Sequence, residues 1–111
     1  MSLYASYWKE EENKDVIEGE HGFVAYQHIP KNREFFITDM FIDESVRGTG
    51  LGQKFGNMAV ELAKDLGCKK MTCNVWVKDP VKTTRKIRIF NEFGFNIVSS
   101  GVGFITMIKE L

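Results

Sequence analysis

Glycines at alternate positions mark the segment whose chemistry is easiest to predict, which consists of Arg47, Gly48, Thr49, Gly50, Leu51 and Gly52. Because glycine has no Cβ atom, its backbone N–H group approaches a ligand closely. Apolar residues at helical spacing follow the segment, and the first N–H groups of a helix have no partner inside it. These donors and the positive end of the helix dipole bind phosphate. The segment therefore predicts a loop that holds a pyrophosphate through the main chain.

Two common phosphate-binding motifs do not fit these residues. In the dinucleotide fingerprint Gly-x-Gly-x-x-Gly, this chain has Gln53 where the third glycine should be. A Walker loop requires a lysine and a hydroxyl residue directly after a glycine, and the chain has no such pair. The segment is therefore predicted to be a phosphate loop of another type.

The elements on either side of the loop would position it. The mostly apolar run 34–42 predicts a central strand covered on both faces. After the loop, a stripe at spacings of three and four predicts a helix that Gly67 ends. The stripe consists of Leu51, Phe55, Met58, Ala59, Leu62, Ala63 and Leu66.

The remaining chain predicts five strands and two helices. Alternation favours a strand at 69–77, after which Asp79 and Pro80 suit the N-cap and first position of a helix that Gly94 ends. The other strands are predicted at 16–20, 23–29, 95–99 and 103–108, with tight turns at His21-Gly22 and Ser100-Gly101, and a short helix at 3–13. The fold class is therefore α/β with a mixed sheet, in a single domain over residues 1–111.

The loop resembles motif A of the GNAT acetyltransferases, [Gln/Arg]-x-x-Gly-x-[Gly/Ala], with Arg47, Gly50 and Gly52 in register. Its flanking elements follow the order found in that family, and Gly94-Phe95 looks like the family's Gly-Phe end of motif B. The resemblance covers roughly residues 15–111 and implies a GNAT acyl-CoA N-acyltransferase fold that is truncated at the N-terminus. It also implies an enzyme, an N-acetyltransferase that uses acetyl-CoA as co-substrate and no metal.

The same resemblance assigns roles to individual residues. Amides from Arg47 to Gly52 would hold the pyrophosphate of CoA. The backbone of Met40, Phe41 and Ile42 would contact the pantetheine arm and the thioester carbonyl, as an oxyanion hole. The hydroxyl of Thr83 would reach the CoA arm, and Arg85 and Lys86 the 3'-phosphate or adenine, although ordinary solvated helix charges are the alternative for these two bases.

Direct transfer to an amine requires a carboxylate or water chain that removes a proton from the ammonium form. Asp39 is the first candidate because it interrupts an apolar strand beside the expected thioester contact, and 38–42 resembles the pattern of polyamine and aminoglycoside acetyltransferases. Glu34 is the second, because its spacing from Arg47 looks like that of the catalytic glutamate in the histone acetyltransferases of this superfamily. The alternatives are a carboxylate that supports the sheet for Asp39 and a solvated strand-end charge for Glu34.

Two departures from the family pattern leave the activity and the acceptor open. Phe90 stands where many relatives have a tyrosine that protonates the departing thiolate, so Tyr26 or water would take that role, or the domain binds CoA without efficient transfer. Few residues precede the first matched strand, so the acceptor side is expected to be open. A protein amine or a second subunit, in a homodimer, would then fill it.

Composition and charge exclude some classes. The 111 residues are 43% hydrophobic and 27% charged, with no apolar window long enough to cross a membrane and acids where a signal peptide needs apolar residues, so a cytoplasmic protein is expected. The spacing of Cys68, Cys73, His21 and His28 predicts no metal site.

The charge is distributed unevenly along the chain. Residues 1–45 hold 10 acids and 4 bases and residues 46–111 hold 5 acids and 11 bases. The basic half suits a polyphosphate better than nucleic acid, for which no motif is present. Three hypotheses remain, namely an N-acetyltransferase, a CoA-binding regulatory module, and an unrelated interaction domain whose glycine loop is only a turn.

Overall fold

The computed structural model of the protein describes residues 3, 9, 15–43, 45 and 49–111. These residues form six strands, two α-helices and a short 3-10 helix at Pro30–Asn32. The strands and helices in chain order are β1 (Asp15–Gly19), β2 (Gly22–Ile29), β3 (Glu34–Ile42), α1 (Leu51–Asp65), β4 (Lys70–Trp76), α2 (Pro80–Glu92), β5 (Asn96–Gly101) and β6 (Phe104–Glu110).

The six strands form one mixed sheet in the order β1-β2-β3-β4-β6-β5. The β3–β4 pair is parallel and the other neighbours are antiparallel. Apolar side chains of β2, β3, β4 and β6 form one buried cluster with residues of both helices, including Ala59, Ala63 and Phe90. The predicted α/β class with a mixed sheet is therefore confirmed, and β3 is central as expected.

A one-residue bulge in β3 decides which of its side chains face the helices. Ala25 opposes Asp39 whereas Tyr26 opposes Ile37, so Thr38 is the extra residue. Because side chains alternate along a strand, an inserted residue reverses the alternation beyond it. Phe35 and Ile37 lie in the core before the bulge, and Asp39 and Phe41 lie on the opposite face after it. We call this opposite face the outer face of the sheet.

The helices begin and end largely where the sequence predicts. The carboxylate of Asp79 accepts hydrogen bonds from the amides of Val81 and Lys82, with Pro80 at the first helical position of α2. Gly67 has a φ of 79° just beyond α1, the left-handed conformation that commonly follows a helix. Of the predicted α1 stripe, Met58 and Leu66 are exceptions, since they are 53% and 37% exposed.

Gly56 determines how closely the two helical regions pack. A Cβ atom at this buried position of α1 would lie 2.8 Å from two atoms of the Phe93 ring, which follows α2. We expect Gly56→Ala to lower the free energy of unfolding by about 1–2 kcal/mol, because the overlap outweighs the gain in helix propensity. Urea unfolding measures this change. The exposed Asn57→Ala is the matched control, and equal stabilisation by both substitutions would contradict the packing argument.

Two predicted turns differ from the structure. The first turn lies at Glu20-His21, and Gly22 pairs within β2, where a Cβ atom would collide with the carbonyl oxygen of Phe41. Glycine is therefore required there for close approach of β3 rather than for a positive φ. The last hairpin turns at Val102-Gly103, two residues later than predicted, since β5 continues to Gly101.

The predicted N-terminal helix lies mostly outside the described residues. Within that segment only Leu3 and Lys9 are described, and both have helical conformation. Among the helices of the described part of the chain, none combines the length and apolar character needed to cross a membrane.

Candidate functional site

A cavity of about 500 Å³ lies where β3 and β4 separate. Their parallel ladder ends at the pair Ile37 and Cys73, although both strands continue. The space between the two strand ends is therefore not closed by backbone hydrogen bonds between them. Both strands and α2 contribute to its lining, which consists of Ile37, Thr38, Asp39, Met40, Phe41, Ile42, Cys73, Asn74, Val75, Trp76, Lys82, Arg85, Lys86, Ile89 and Phe90.

The backbone amide of Met40 in β3 faces this gap. The amide of Asp43 donates to the carbonyl of His21 at 2.7 Å, so Asp43 points toward β2. Since backbone groups of successive strand residues point to opposite sides, the amide of Met40 points away from β2. It donates to Oδ1 of Asp39 at 2.8 Å. The Met40 amide, a hydrogen-bond donor on the wall of the cavity, is thus bonded to the carboxylate of Asp39.

The glycine loop places the N-terminus of α1 close in sequence to this end of β3. Gly50 is the N-cap residue, with a φ of 88°, and its carbonyl accepts from the amide of Lys54 at 3.1 Å. In the described part of the loop α1 has no side-chain cap, so the amides of its first turn keep their capacity to bind an anion. Arg47 and Gly48 lie outside the described residues, and the roles predicted for them stay predictions.

Helix α2 supplies the positive charge of the cavity. Lys82, Arg85 and Lys86 lie within one turn of each other and all line it. Their shared position makes them candidates for phosphate binding, because guanidinium and ammonium groups are the usual partners of phosphate oxygens. Arg85 and Lys86 were predicted, whereas the contribution of Lys82 required the structure.

Thr83, in contrast, lies outside the set of cavity-lining residues. It is 8% exposed, and its hydroxyl donates to the carbonyl of Trp76 at 3.3 Å. This hydrogen bond ties α2 to the end of β4. The predicted contact of Thr83 with the CoA arm is therefore not supported by its position.

Glu34 also lies away from the cavity. It begins β3, in register with Lys70, and its carboxylate accepts hydrogen bonds from the Thr72 hydroxyl and the Asn32 side chain. Asp39 lies five residues further along the strand, which corresponds to about 16 Å. Only Asp39 of the two candidate bases lines the cavity. Glu34 instead joins the start of β3 to β4.

No tyrosine is among the described residues that line the cavity. Phe90 is buried there and meets Phe95 edge to face, with ring centroids 5.1 Å apart. Tyr26 is stacked on Phe35 within the core, with ring centroids 4.2 Å apart. Burial, and secondarily the charge of Asp15, raise the pKa of Tyr26. Tyr26 is thus placed away from the cavity and does not replace a tyrosine at position 90.

The cavity also contains a thiol that sequence patterns did not single out. Cys73 is 1% exposed, and burial raises its pKa from 9.0 to about 12, against the opposing charge of Lys86. A raised pKa means that the folded state favours the neutral thiol. Its contribution to stability is therefore complete below about pH 9 and is lost as the pH rises toward 12.

We expect the free energy of unfolding to fall more steeply above pH 9 in the native chain than in Cys73→Ala. The difference in the free energy of unfolding between the native chain and Cys73→Ala is expected to change by at most about 2 kcal/mol between pH 9 and pH 10.5. Urea unfolding at both pH values measures it. Parallel pH profiles would show that the thiol ionises as freely in the folded state as in the unfolded state.

Four cavity residues on β4 were missed by the sequence analysis, namely Cys73, Asn74, Val75 and Trp76. Asn74 accepts a hydrogen bond from the Thr106 hydroxyl at 2.9 Å, and Trp76 meets Phe104 edge to face at 5.4 Å. The alternating pattern of β4 predicts a strand, but it does not predict from which neighbouring strand β4 separates. The sequence offered one signal there, a tryptophan at the end of a run of mostly smaller side chains.

In sequence and in structure, the chain is similar to known acetyltransferases. Residues 4–95 match the model of the acetyltransferase (GNAT) family. A search of curated protein sequences finds no significant match. Among solved structures, the chain is similar to nourseothricin acetyltransferase, with a TM-score of 0.66 and 21% identity over 87% of this chain and 64% of that chain. It therefore spans less than two thirds of that protein's length.

Two further similar structures are complexes with coenzyme A. One is an acetyltransferase of Bacillus subtilis, with a TM-score of 0.67 and 15% identity over 96% of this chain and 83% of that chain. The other is the PaiA N-acetyltransferase of Thermoplasma acidophilum, with a TM-score of 0.74 and 13% identity over 98% of this chain and 69% of that chain. At these identities the likeness shows the fold, which confirms the fold predicted from the sequence.

Proposed function

Because the chain belongs to the acetyltransferase (GNAT) family, we propose that it transfers the acetyl group of acetyl-CoA directly to the nitrogen of an amine acceptor. The family assignment supports the predicted enzyme class, that of the N-acetyltransferases. One observation carries the proposal to this chain. The cavity between the separated strands has three cationic side chains on α2 and the carboxylate of Asp39 on β3, as a site for a polyanionic donor and a cationic acceptor should.

The described residues fit a CoA-type ligand. The uncapped first turn of α1 after Gly50 suits the pyrophosphate, and the cations of α2 suit the remaining phosphate. The gap between β3 and β4 has room for an extended chain that pairs with strand backbone. In this proposal the pantetheine arm takes the place of the missing ladder beyond Ile37.

Asp39 and the amide of Met40 then act as one unit. The carboxylate oxygen 2.8 Å from the Met40 amide occupies a position where the thioester oxygen would accept the same hydrogen bond. Binding of the thioester there releases the carboxylate, which takes a proton from the ammonium acceptor. The neutral nitrogen attacks the carbonyl carbon and the N–C bond forms. The C–S bond then breaks, and the second proton of the nitrogen passes through water to the CoA thiolate, so that CoA leaves as the thiol. The Met40 amide stabilises the negative charge on the oxygen in between.

Phe90 favours a second candidate function, a CoA-binding module that transfers acetyl groups poorly. Phenylalanine has no proton to give to the departing thiolate, and Lys86, one turn earlier on α2, is the nearest cavity residue in sequence with an ionisable proton. A steady-state assay of CoA release with a panel of amines separates the two functions. Tight binding of acetyl-CoA without transfer to any amine would reject the transferase.

If the transferase is correct, Phe90→Tyr is expected to raise kcat about tenfold, because a hydroxyl at the cavity wall would protonate the leaving thiolate. The reaction rate at saturating acetyl-CoA measures this. Phe90→Leu is the control, since it alters packing without adding a proton donor. No gain from tyrosine would mean that thiolate departure does not limit the rate.

A homodimer and a cytoplasmic location stay proposals. One of the two edge strands of the sheet is β5, whose Ile97 and Val98 are 53% and 55% exposed. Such side chains are compatible with a second copy at this edge. Sedimentation equilibrium of the full chain tests the dimer, and a monomer at all concentrations would reject it.

A further inference from the structure

The cavity opens onto the outer face of the sheet, away from both helices. Beyond the bulge at Thr38, Asp39 and Phe41 project to this face from β3. Trp76 projects to it from β4, because Met71, Cys73 and Val75 alternate with it and lie in the core on the helix side. These three outer-face residues line the same cavity from its two walls.

Two aromatic rings on this face are held in place and yet exposed. Phe41 is 51% exposed and stacks on Phe23 of β2, with ring centroids 6.2 Å apart. Trp76 is 58% exposed and packs edge to face on Phe104 of β6. Each ring is thus supported by the neighbouring strand on the side away from the gap. An exposed, supported aromatic surface at a cavity mouth is a common feature of ligand sites.

The charge of the cavity differs between its two ends. The cations that line it, Lys82, Arg85 and Lys86, all come from α2 on the helix side. Among the described residues that line the cavity, Asp39 is the only acid, and it lies on the outer face beside Phe41. A carboxylate next to aromatic rings favours an ammonium group attached to an apolar body.

We propose that the outer end of the cavity is the acceptor site, and that it selects a primary amine whose carbon chain carries an aromatic ring. The ammonium group binds at Asp39, and the ring packs against Phe41 and Trp76. This inference rests on the proposed function, which it deepens by naming the acceptor class. It is distinct from a purely polar acceptor such as a polyamine, which would leave both rings in water.

The test compares 2-phenylethylamine with ethylamine. Isothermal titration of each amine into protein saturated with CoA gives the two dissociation constants without requiring turnover. We expect 2-phenylethylamine to bind at least about tenfold more tightly, because only its ring has an aromatic partner. Trp76→Ala and Phe41→Ala are each expected to reduce this ratio to near one. Trp76→Leu, which keeps an apolar side chain over Phe104, guards against loss of folding and is expected to give an intermediate ratio.

Ile97→Ala is the matched control, an exposed apolar residue on β5 that does not line the cavity, and it should leave the ratio unchanged. Equal affinities in the native chain would overturn the proposal. So would tighter binding of spermidine or a lysine peptide, or a dimer that Trp76→Ala dissociates. Absence of acetyl transfer to every amine would reject the proposed function instead, while the binding ratio would still decide the acceptor site.

Discussion

Glutamate in place of Gly50 is expected to abolish acetyl-CoA binding. The substituted side chain would add bulk and a negative charge at the N-terminus of α1, where the proposed pyrophosphate binds. Acetyl-CoA at about a hundred times its dissociation constant should raise the stability of the native chain by about 2.7 kcal/mol. For a domain of this size, each kcal/mol moves the unfolding midpoint by about 4–8 °C. Thermal unfolding with and without acetyl-CoA should therefore show a large shift that Gly50→Glu removes.

Gly67→Glu is a close structural control for this experiment. Gly67 follows the other end of α1, with a φ of 79° against 88° at Gly50, and a Cβ atom would meet no atom within 4 Å at either site. Both substitutions therefore introduce the same charge and a similar backbone strain of about 1–2 kcal/mol. Gly67→Glu should keep the shift with acetyl-CoA. Equal shifts in both variants would mean that the loop is only a turn.

The second large effect is expected for Asp39→Asn, which should lower kcat/KM by about 10²–10⁴ while acetyl-CoA binding survives. The side-chain oxygen of asparagine still accepts the hydrogen bond from the Met40 amide. Asparagine cannot, however, take a proton from the acceptor. The local fold should therefore remain, and the loss should appear in transfer alone. CoA release with a reactive amine measures transfer, and thermal unfolding with acetyl-CoA measures binding. Unchanged turnover would remove Asp39 as the base.

Glu34→Gln provides the comparison on the same strand. Because Glu34 bonds to Thr72 and Asn32 away from the cavity, its replacement is expected to lower the stability by about 1 kcal/mol and to leave kcat/KM within about twofold. A large loss of activity in this variant, with acetyl-CoA still bound, would restore Glu34 as a candidate base.

Local signals were sufficient to predict most of the fold from the sequence. The cap at Asp79, the αL residue Gly67 and the apolar period of α1 depend on interactions within a few residues of each other. The same holds for the glycine loop, whose pattern indicated both the helix start and the family. The spacing of residues along the chain predicts these features, and the structure has them at the predicted positions.

The site itself depended on relations between distant segments. The bulge at Thr38 arises from how β2 and β3 pair, and the cavity arises from where β3 leaves β4. Neither the bulge nor the cavity can be recognised from the residues of a single strand. For the same reason Glu34 and Asp39 were both plausible bases, since their difference lies in which end of β3 borders the gap. The contribution of Trp76 became visible only with its position opposite Phe41.

The short ladder between β3 and β4 also has a consequence for the local unfolding of the sheet. Among the described residues, four ladder pairs, from Glu34 with Lys70 to Ile37 with Cys73, connect the β1-β2-β3 unit to the β4-β6-β5 unit. Backbone hydrogen bonds from Lys69 and Lys70 to the carbonyl of Arg33 extend this connection at one end. Cooperative units of this kind exchange their amide hydrogens together and open at different free energies. Deuterium uptake should therefore divide the sheet at this boundary. A ligand that bridges the two strands would slow exchange in both units at once.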